Sequence, residues 1–489
     1  MSGRPPQTVV VLDNGAGNCK IGFAGEAAPR RVFPNCVAKP KGERASYVGD
    51  MLLDCKEISQ LNLRRPFDRG YLINWDLERE IWSRAFKAVL GMSLGGKGGL
   101  SAQGITPTNC GLIITEPMFN SDFPQLQAAT ERVVFEDFGF ASLYVAPAPS
   151  FSLRRMGSLD PSLPAAAAGA GIVVDAGFSF THVVPFFEGQ PILQGVKRIN
   201  VGGKLLTNYL KELVSYRALN MMDEPYLMEC VKEALSFVSQ NVVQDLKMAA
   251  KGSRSPYRRE FVLPDGVSNF RGYVREIAPP PQPSRPPEQQ QGQPPPQPES
   301  TPQGEQQQQT PGQPGQEQLG EGQQGDAQQQ QQQQEGGSQQ QGAPPKPPTQ
   351  KARAAAAAAG EQVLPLNNER FMVPEVLFHP SDIGLMQAGV AEAVVQAVQS
   401  VHASLHPLLY NNVILTGGMA GCPGFCERFN AELRPLVPSD YALGVHVPPN
   451  PALCAWEGMA AFGASPAYAK VAVTRAQWMA AQQGGGRHR

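Results

Sequence analysis

The sequence predicts an α/β fold in which a duplicated domain closes on a phosphate-bearing ligand. Three observations predict it. Short apolar runs alternate with helical patterns along most of the chain. Two of those runs stop at an aspartate-led glycine loop, Val9-Val10-Val11-Leu12-Asp13-Asn14-Gly15-Ala16-Gly17 and Ile172-Val173-Val174-Asp175-Ala176-Gly177. A third run, Asn412-Val413-Ile414-Leu415-Thr416, leads into Gly417-Gly418.

A strand that stops at Asp-x-Gly turns its backbone N–H groups outward, where they hold phosphate oxygens, and its carboxylate can hold a metal-bound water. Either loop alone reads as an ordinary turn, since Asp and Gly are common turn residues. Two such loops in one chain point to a nucleotide clamped between two halves. Lys20 follows the first loop at phosphate reach; its plain alternative is a solvated turn lysine. The second loop continues Phe178-Ser179-Phe180, whose bulk crowds the place a phosphate takes. Gly417-Gly418 lets a flat ring or a phosphate approach the backbone, with a simple tight turn as the alternative.

Taken in order, Thr8 to Leu12 reads as a strand, too short for a signal core or a membrane span. Asp76 is placed to cap a helix whose apolar face is Leu77, Ile81, Trp82, Ala85 and Val89, with Glu78 and Glu80 near its positive end. Gly95 to Gly104 reads as a loop, and Gly111 to Thr115 as a strand. A helix carries Leu205, Leu206, Tyr209, Leu210 and Leu213, and another runs from about Ala388 to Leu405. Lys232-Glu233 lies on an amphipathic helix and by default is a solvated pair. Pro423 sits where a helix can start.

From about Pro279 to about Gly360 the composition turns to Pro, Gln, Gly and Glu. Such a stretch has too little apolar surface to offset ordering entropy and is expected to be disordered. Lengthening a surface loop to that size costs only about 2 kcal/mol in closure entropy, so an insertion within a folded domain is tolerated. It reads as a dispensable solvated loop or, alternatively, as a tether for coactivator-like partners.

At 489 residues the chain is long enough for two or more cores. Its formal net charge of −1 gives no general reason to expect nucleic-acid or membrane binding. Eight cysteines without paired spacing suggest reduced thiols of an intracellular protein. Cys422 and Cys426 lack a second ligand pair, and His402 and His406 lack an acidic one, so no metal site is expected.

Together these features resemble the actin family. The stretch Asp13 to Glu26 is similar to that family's first phosphate loop. Ser46-Tyr47-Val48-Gly49-Asp50, Asn74-Trp75-Asp76, Thr115-Glu116-Pro117, Tyr144-Val145-Ala146, Thr181-His182, Asn368-Glu369-Arg370-Phe371 and Leu415-Thr416-Gly417-Gly418 fall in the family's order. Pro66 to Asp76, Ile199 to Asn208, Asn368 to Gly384 and Asn450 to Gly458 resemble a nuclear actin-related branch of it.

The resemblance implies an actin-like α/β fold. Two lobes, each with a duplicated ribonuclease-H-like domain, would flank a central nucleotide cleft. Lobe I would span residues 1–150, and lobe II residues 151–435 with the 279–360 insert. Residues 436–489 would return to lobe I. By family position Asp13, Gly15, Gly17 and Lys20 would face phosphates. Gly203, Lys232, Glu233 and Gly418 would line the base and sugar end, and Asn14, Asp175, Gly177 and Gly417 complete the expected cofactor-binding set.

Several positions depart from the family pattern. Its water-orienting glutamine falls at Ala148, which cannot position a water, and such a loss typically costs about 10²–10⁴-fold in rate. The aspartate near its metal falls at Phe178, the following glycine at Ser179, and a lysine over the base at Ala452. Hydrolysis is therefore not expected, while ATP as a structural ligand stays open. Pro147 and Pro149 fall where the lobes pivot and predict a stiff hinge. A short segment between Phe33 and Ser46, and Asp382 in place of an apolar residue, argue against conventional filaments.

The branch resemblance implies a non-catalytic subunit of a Swr-type chromatin-remodelling complex, which exchanges a histone variant into nucleosomes and so regulates transcription. Its partners would be the remodeller's motor subunit, a HIT-type zinc-finger protein and, through the complex, nucleosomal histones. It would reside in the nucleus, with some in the cytoplasm, and touch no membrane. A cytoskeletal actin-like polymer and a weak stand-alone ATPase are the alternatives.

Overall fold

The computed structural model describes residues 8–91, 105–164, 168–275 and 361–485; the insert at 279–360 and the patch from 95 to 104 lie outside the described residues. Two larger sheets carry the fold. The first has the strand order Val473–Thr474, Ser142–Pro147, Gly111–Glu116, Val9–Asn14, Asn18–Phe23, Arg31–Pro34. The second runs Gln190–Pro191, Thr181–Phe187, Gly171–Ala176, Val413–Thr416, Val445–His446, with Lys197–Ile199 also paired to Thr181–Phe187.

The same pairing scheme recurs in both. Val9–Asn14 is antiparallel to Asn18–Phe23 and parallel to Gly111–Glu116. Gly171–Ala176 is antiparallel to Thr181–Phe187 and parallel to Val413–Thr416. Each aspartate-led loop is thus a hairpin turn beside a parallel neighbour. All six residues of Val9–Asn14 are buried, as expected for a strand covered on both faces and therefore apolar without alternation.

Two helices pack between the sheets. Ala148–Leu159 and Cys454–Ala464 set Phe151, Trp456 and Met459 against Val9, Val11 and Ile113. They also set Leu153, Met156 and Cys454 against Val173, Val184 and Ile414. Trp456 is fully buried and donates its indole N–H to the Val11 carbonyl at 3.3 Å, which satisfies its polar atom inside an apolar site. Pro147 and Pro149 start the first of these helices, where a fixed φ and a missing donor cost nothing. After Val445–His446, still paired in the second sheet, the chain crosses back and ends against Ser142–Pro147 through Val473–Thr474.

Tyr273–Arg275 and Val363–Leu366 pair with the two edges of Arg259–Val262, so both ends of the insert leave from one small sheet.

Local readings are corrected at three places. The helix Trp75–Leu90 is capped by Asn74, whose side chain accepts from the Leu77 N–H, and Asp76 lies in its first turn. The helix expected to 405 ends at Gln399 and is followed by a short turn, Ala403–Leu405. The helix after Gly417-Gly418 begins at Phe425 rather than Pro423, because Gly424 takes a left-handed φ of 82° that ends the preceding turn.

Candidate functional site

The first loop is fixed by side chains behind it. The Asp13 carboxylate receives Lys20 Nζ at 2.6 Å and the Thr115 hydroxyl at 2.9 Å, and that hydroxyl also accepts the Asn14 N–H at 2.8 Å. Asn14 Nδ2 donates to Glu78 Oε1 at 2.6 Å, while Asn14 Oδ1 accepts from Trp82 Nε1 at 3.2 Å. Asn35 Nδ2 reaches the Gly15 carbonyl at 3.1 Å. Burial works against the Lys20 charge, but Asp13 and then Asp175 outweigh it and hold its pKa above the usual value.

Glu78 is buried completely, and its Oε2 has no partner among the described residues. Burial therefore raises its pKa to about 7, against the opposing hydrogen bonds of Asn14 and Asn35. Sequence reading placed Glu78 at the helix's positive end and missed this role. The signal was present: Glu78 stands three, four and seven residues before Ile81, Trp82 and Ala85, on the apolar face.

The second loop faces the first across the cleft. Burial, followed by the nearby Asp13 charge and partly offset by Lys20, raises the Asp175 carboxyl to about 6. Phe178 leans out of this loop into the first: a Cβ built on Gly17 would lie 2.8 Å from Phe178 Cγ. Only glycine at residue 17 leaves room for the ring. Arg65, just past Leu61–Arg64, lies 4.4 Å over the Phe178 ring. Its guanidinium donates to the Gly17 carbonyl at 2.7 Å and to Glu229 Oε2 at 2.9 Å. No sequence signal marked Arg65, because a lone arginine after a strand has no spacing to betray it.

The remaining expected residues complete the lining. Gly417 adopts φ +90°, and a Cβ there would meet the Ala176 carbonyl at 2.4 Å, so the turn admits only glycine. Gly418 has open space beside it. Lys232 is buried rather than solvated: Nζ donates to the Gly203 carbonyl at 2.9 Å and to Thr207 Oγ1 at 2.8 Å. Burial lowers its pKa, and burial together with Glu229 raises that of Glu233.

All twelve residues expected to face the nucleotide, from Asp13 to Gly418, line one cavity of about 520 Å³, and so do Ala148, Phe178, Ser179 and Ala452. The positions that depart from the family pattern thus face the same space as those that keep it. His182 lines it too; burial, then Arg198, lowers its pKa to about 4, so it is a neutral imidazole.

The backbone N–H groups of Gly15, Ala16 and Gly17 donate to no described residue, as an anion-holding nest requires. Phe178 and Arg65, however, fill the gap between the loops. Among the described residues no group of three His, Cys, Asp or Glu is placed to hold a metal ion, and no helix is long and apolar enough to cross a membrane.

The chain matches the actin family ("Actin") over residues 4–483. It is 37% identical over 472 residues to "Actin-related protein 6" of Oryza sativa subsp. indica, covering 96% of this chain and 95% of that one. The Arabidopsis thaliana protein of that name is 36% identical over 473 residues, and the Drosophila melanogaster one 32% over 470, each with 96% of both chains covered. A preserved frame, a cleft built from paired aspartate loops and full-length identity of this order agree: the chain belongs to the actin family, on the side represented by these actin-related protein 6 sequences.

Proposed function

We propose that the chain is a non-catalytic structural subunit of a nuclear chromatin-remodelling complex that exchanges a histone variant into nucleosomes. One observation carries the non-catalytic part. Ala148 and Phe178 line the cleft where the family resemblance puts a water-orienting amide and a carboxylate near the metal. Neither side chain can position a water or hold a hydrated cation. His182, a neutral imidazole that also lines the cleft, packs with T-shaped geometry on Phe119 and Phe180, with centroids 6.5 and 5.9 Å away. The likeness to the nuclear branch of the family supports the assembly role.

In this reading the protein works by rigid placement. The helices between the two sheets fix both halves, and the body joins the remodeller's motor subunit to a HIT-type zinc-finger partner, presenting the complex to nucleosomal histones. The motor does the ATP-driven work. ATP held as a structural ligand is the cofactor alternative, and it plays no part in chemistry here. Asp382 is exposed beside the cleft mouth, which disfavours an apolar filament contact there.

Affinity purification of the full chain from nuclear extract tests the proposal. The expected result is co-purification of a remodelling ATPase, a HIT-type zinc-finger protein and histones. Recovery of cytoskeletal partners, or sedimentation as filaments with ATP and magnesium, supports the polymer reading instead.

A further inference from the structure

We propose that Arg65 and Phe178 form a built-in strut that joins the two aspartate loops and holds the cleft closed without a nucleotide. The strut has three contacts from three parts of the chain. Arg65 donates to the Gly17 carbonyl at 2.7 Å, tying it to the first loop. It covers the Phe178 ring of the second loop with 4.4 Å from Cζ to the centroid. It also pairs with Glu229 at 2.9 Å, on the helix Pro225–Leu235 that lines the far side of the cleft.

These groups link the loops that a phosphate would otherwise bridge, while the N–H groups of Gly15, Ala16 and Gly17 keep no partner among the described residues. Loops led by Asp13 and Asp175 bring two carboxylates toward each other, and Asp175 is already pushed up by Asp13. A ligand bridging the loops must bring cations or accept hydrogen bonds to offset this. Here Lys20, paired with Asp13, supplies that cation from the chain itself, while Arg65 pairs with Glu229 on the neighbouring helix. The Arg65 and Glu229 side chains are 11% and 12% exposed, which makes their ion pair less screened than a surface one. The planar guanidinium suits this place because one fork can hold a carbonyl and a carboxylate while its face stacks on an aromatic ring.

A second contact closes the same seam. The hairpin tip Arg69-Gly70 meets Phe180, where a Cβ on Gly70 would come within 2.4 Å of the ring, and Arg198 covers that ring at 4.1 Å. Phe178 and Phe180 each carry an arginine over the ring and approach a glycine of another loop, Gly17 and Gly70 respectively. Aromatic–glycine contact across the seam thus links the two loops through the chain's own side chains.

Full-length protein purified without added nucleotide tests the strut. Nucleotide released on acid denaturation is counted, and Tm is measured with and without ADP or ATP plus magnesium for wild type, Arg65→Ala, Phe178→Ala and the double variant. The expected wild type releases no stoichiometric nucleotide and keeps its Tm when nucleotide is added. Each single substitution lowers Tm, and the double lowers it by less than their sum, because both remove one contact. Should the alanine variants not fold, Arg65→Lys carries the test: it keeps the charge, loses the fork and is expected to melt below wild type. About one nucleotide released per wild-type chain, a Tm raised several degrees by ATP, additive singles or an unchanged Arg65→Lys would each overturn the strut. None of these readouts depends on which complex the protein joins.

Discussion

Glu78→Gln isolates the buried acid behind the first loop. Glu78 has an unpartnered Oε2, and the unpartnered Oδ1 of Asn35 lies in the same cluster. Burial of a carboxyl whose Oε2 has no donor favours a proton on it, and its pKa rises from 4.5 to about 7. The sign follows from linkage. Between those values the folded chain binds more protons than the unfolded one, so stability falls as pH rises. The cost is absent below the unfolded value and complete above the folded one. At about 1.4 kcal/mol per pH unit, the full cost is about 3 kcal/mol. Glutamine keeps the acceptor for Asn14, supplies an N–H in place of Oε2 and does not ionise. Urea denaturation should therefore show Glu78→Gln more stable than wild type by about 1 kcal/mol near pH 5.5, widening to about 3 kcal/mol near pH 8. Asp175 titrates in both proteins and cancels in the difference. A gap that does not widen with pH, or a variant less stable than wild type near pH 8, would refute the reasoning.

Three further outcomes follow from other contacts. Arg428→Ala should cost about 3 kcal/mol in urea denaturation, since the Glu375 carboxylate, only 4% exposed, loses the guanidinium that Arg428 Nη2 brings to 2.9 Å and, among the described residues, keeps only His379 Nδ1 at 2.8 Å. Trp456→Ala should cost about 3–5 kcal/mol by the same measurement, because the helix between the sheets loses its largest buried side chain and the Val11 carbonyl loses a donor. Lys232→Met should lower stability by about 1–3 kcal/mol, read from the urea midpoint, as the buried Thr207 hydroxyl loses its donor, while the Gly203 carbonyl keeps that hydroxyl at 2.9 Å.

Much of the fold was legible because the central strands are covered on both faces and so read as unbroken apolar runs, as in Val9–Asn14 and Gly171–Ala176. The aspartate loops were legible only as a pair, because Asp and Gly after a single strand are ordinary turn residues. Boundaries were less so. Asn74 and Asp76 both suit a cap, and only the backbone turning at Asn74 decides between them. Gly424 stops one turn and starts a helix through a left-handed φ that composition does not announce.

The cleft was legible as a set of positions and not as a set of partners. Phe178 was recognisable as an obstruction, but Arg65 was invisible, since its role depends on a ring and a carboxylate far away in sequence. Lys232 read as a solvated lysine because amphipathic spacing does not tell an ammonium bonded to a carbonyl from one in water. Glu78 shows the converse: its place on an apolar face was in the pattern, and only the habit of assigning acids to helix starts concealed it.

Steady-state ATP hydrolysis by the purified full-length chain, with magnesium and no other subunit, tests the central claim most directly. Background turnover, unchanged by Asp13→Ala, is the predicted result. Turnover clearly above background that disappears on Asp13→Ala would contradict it.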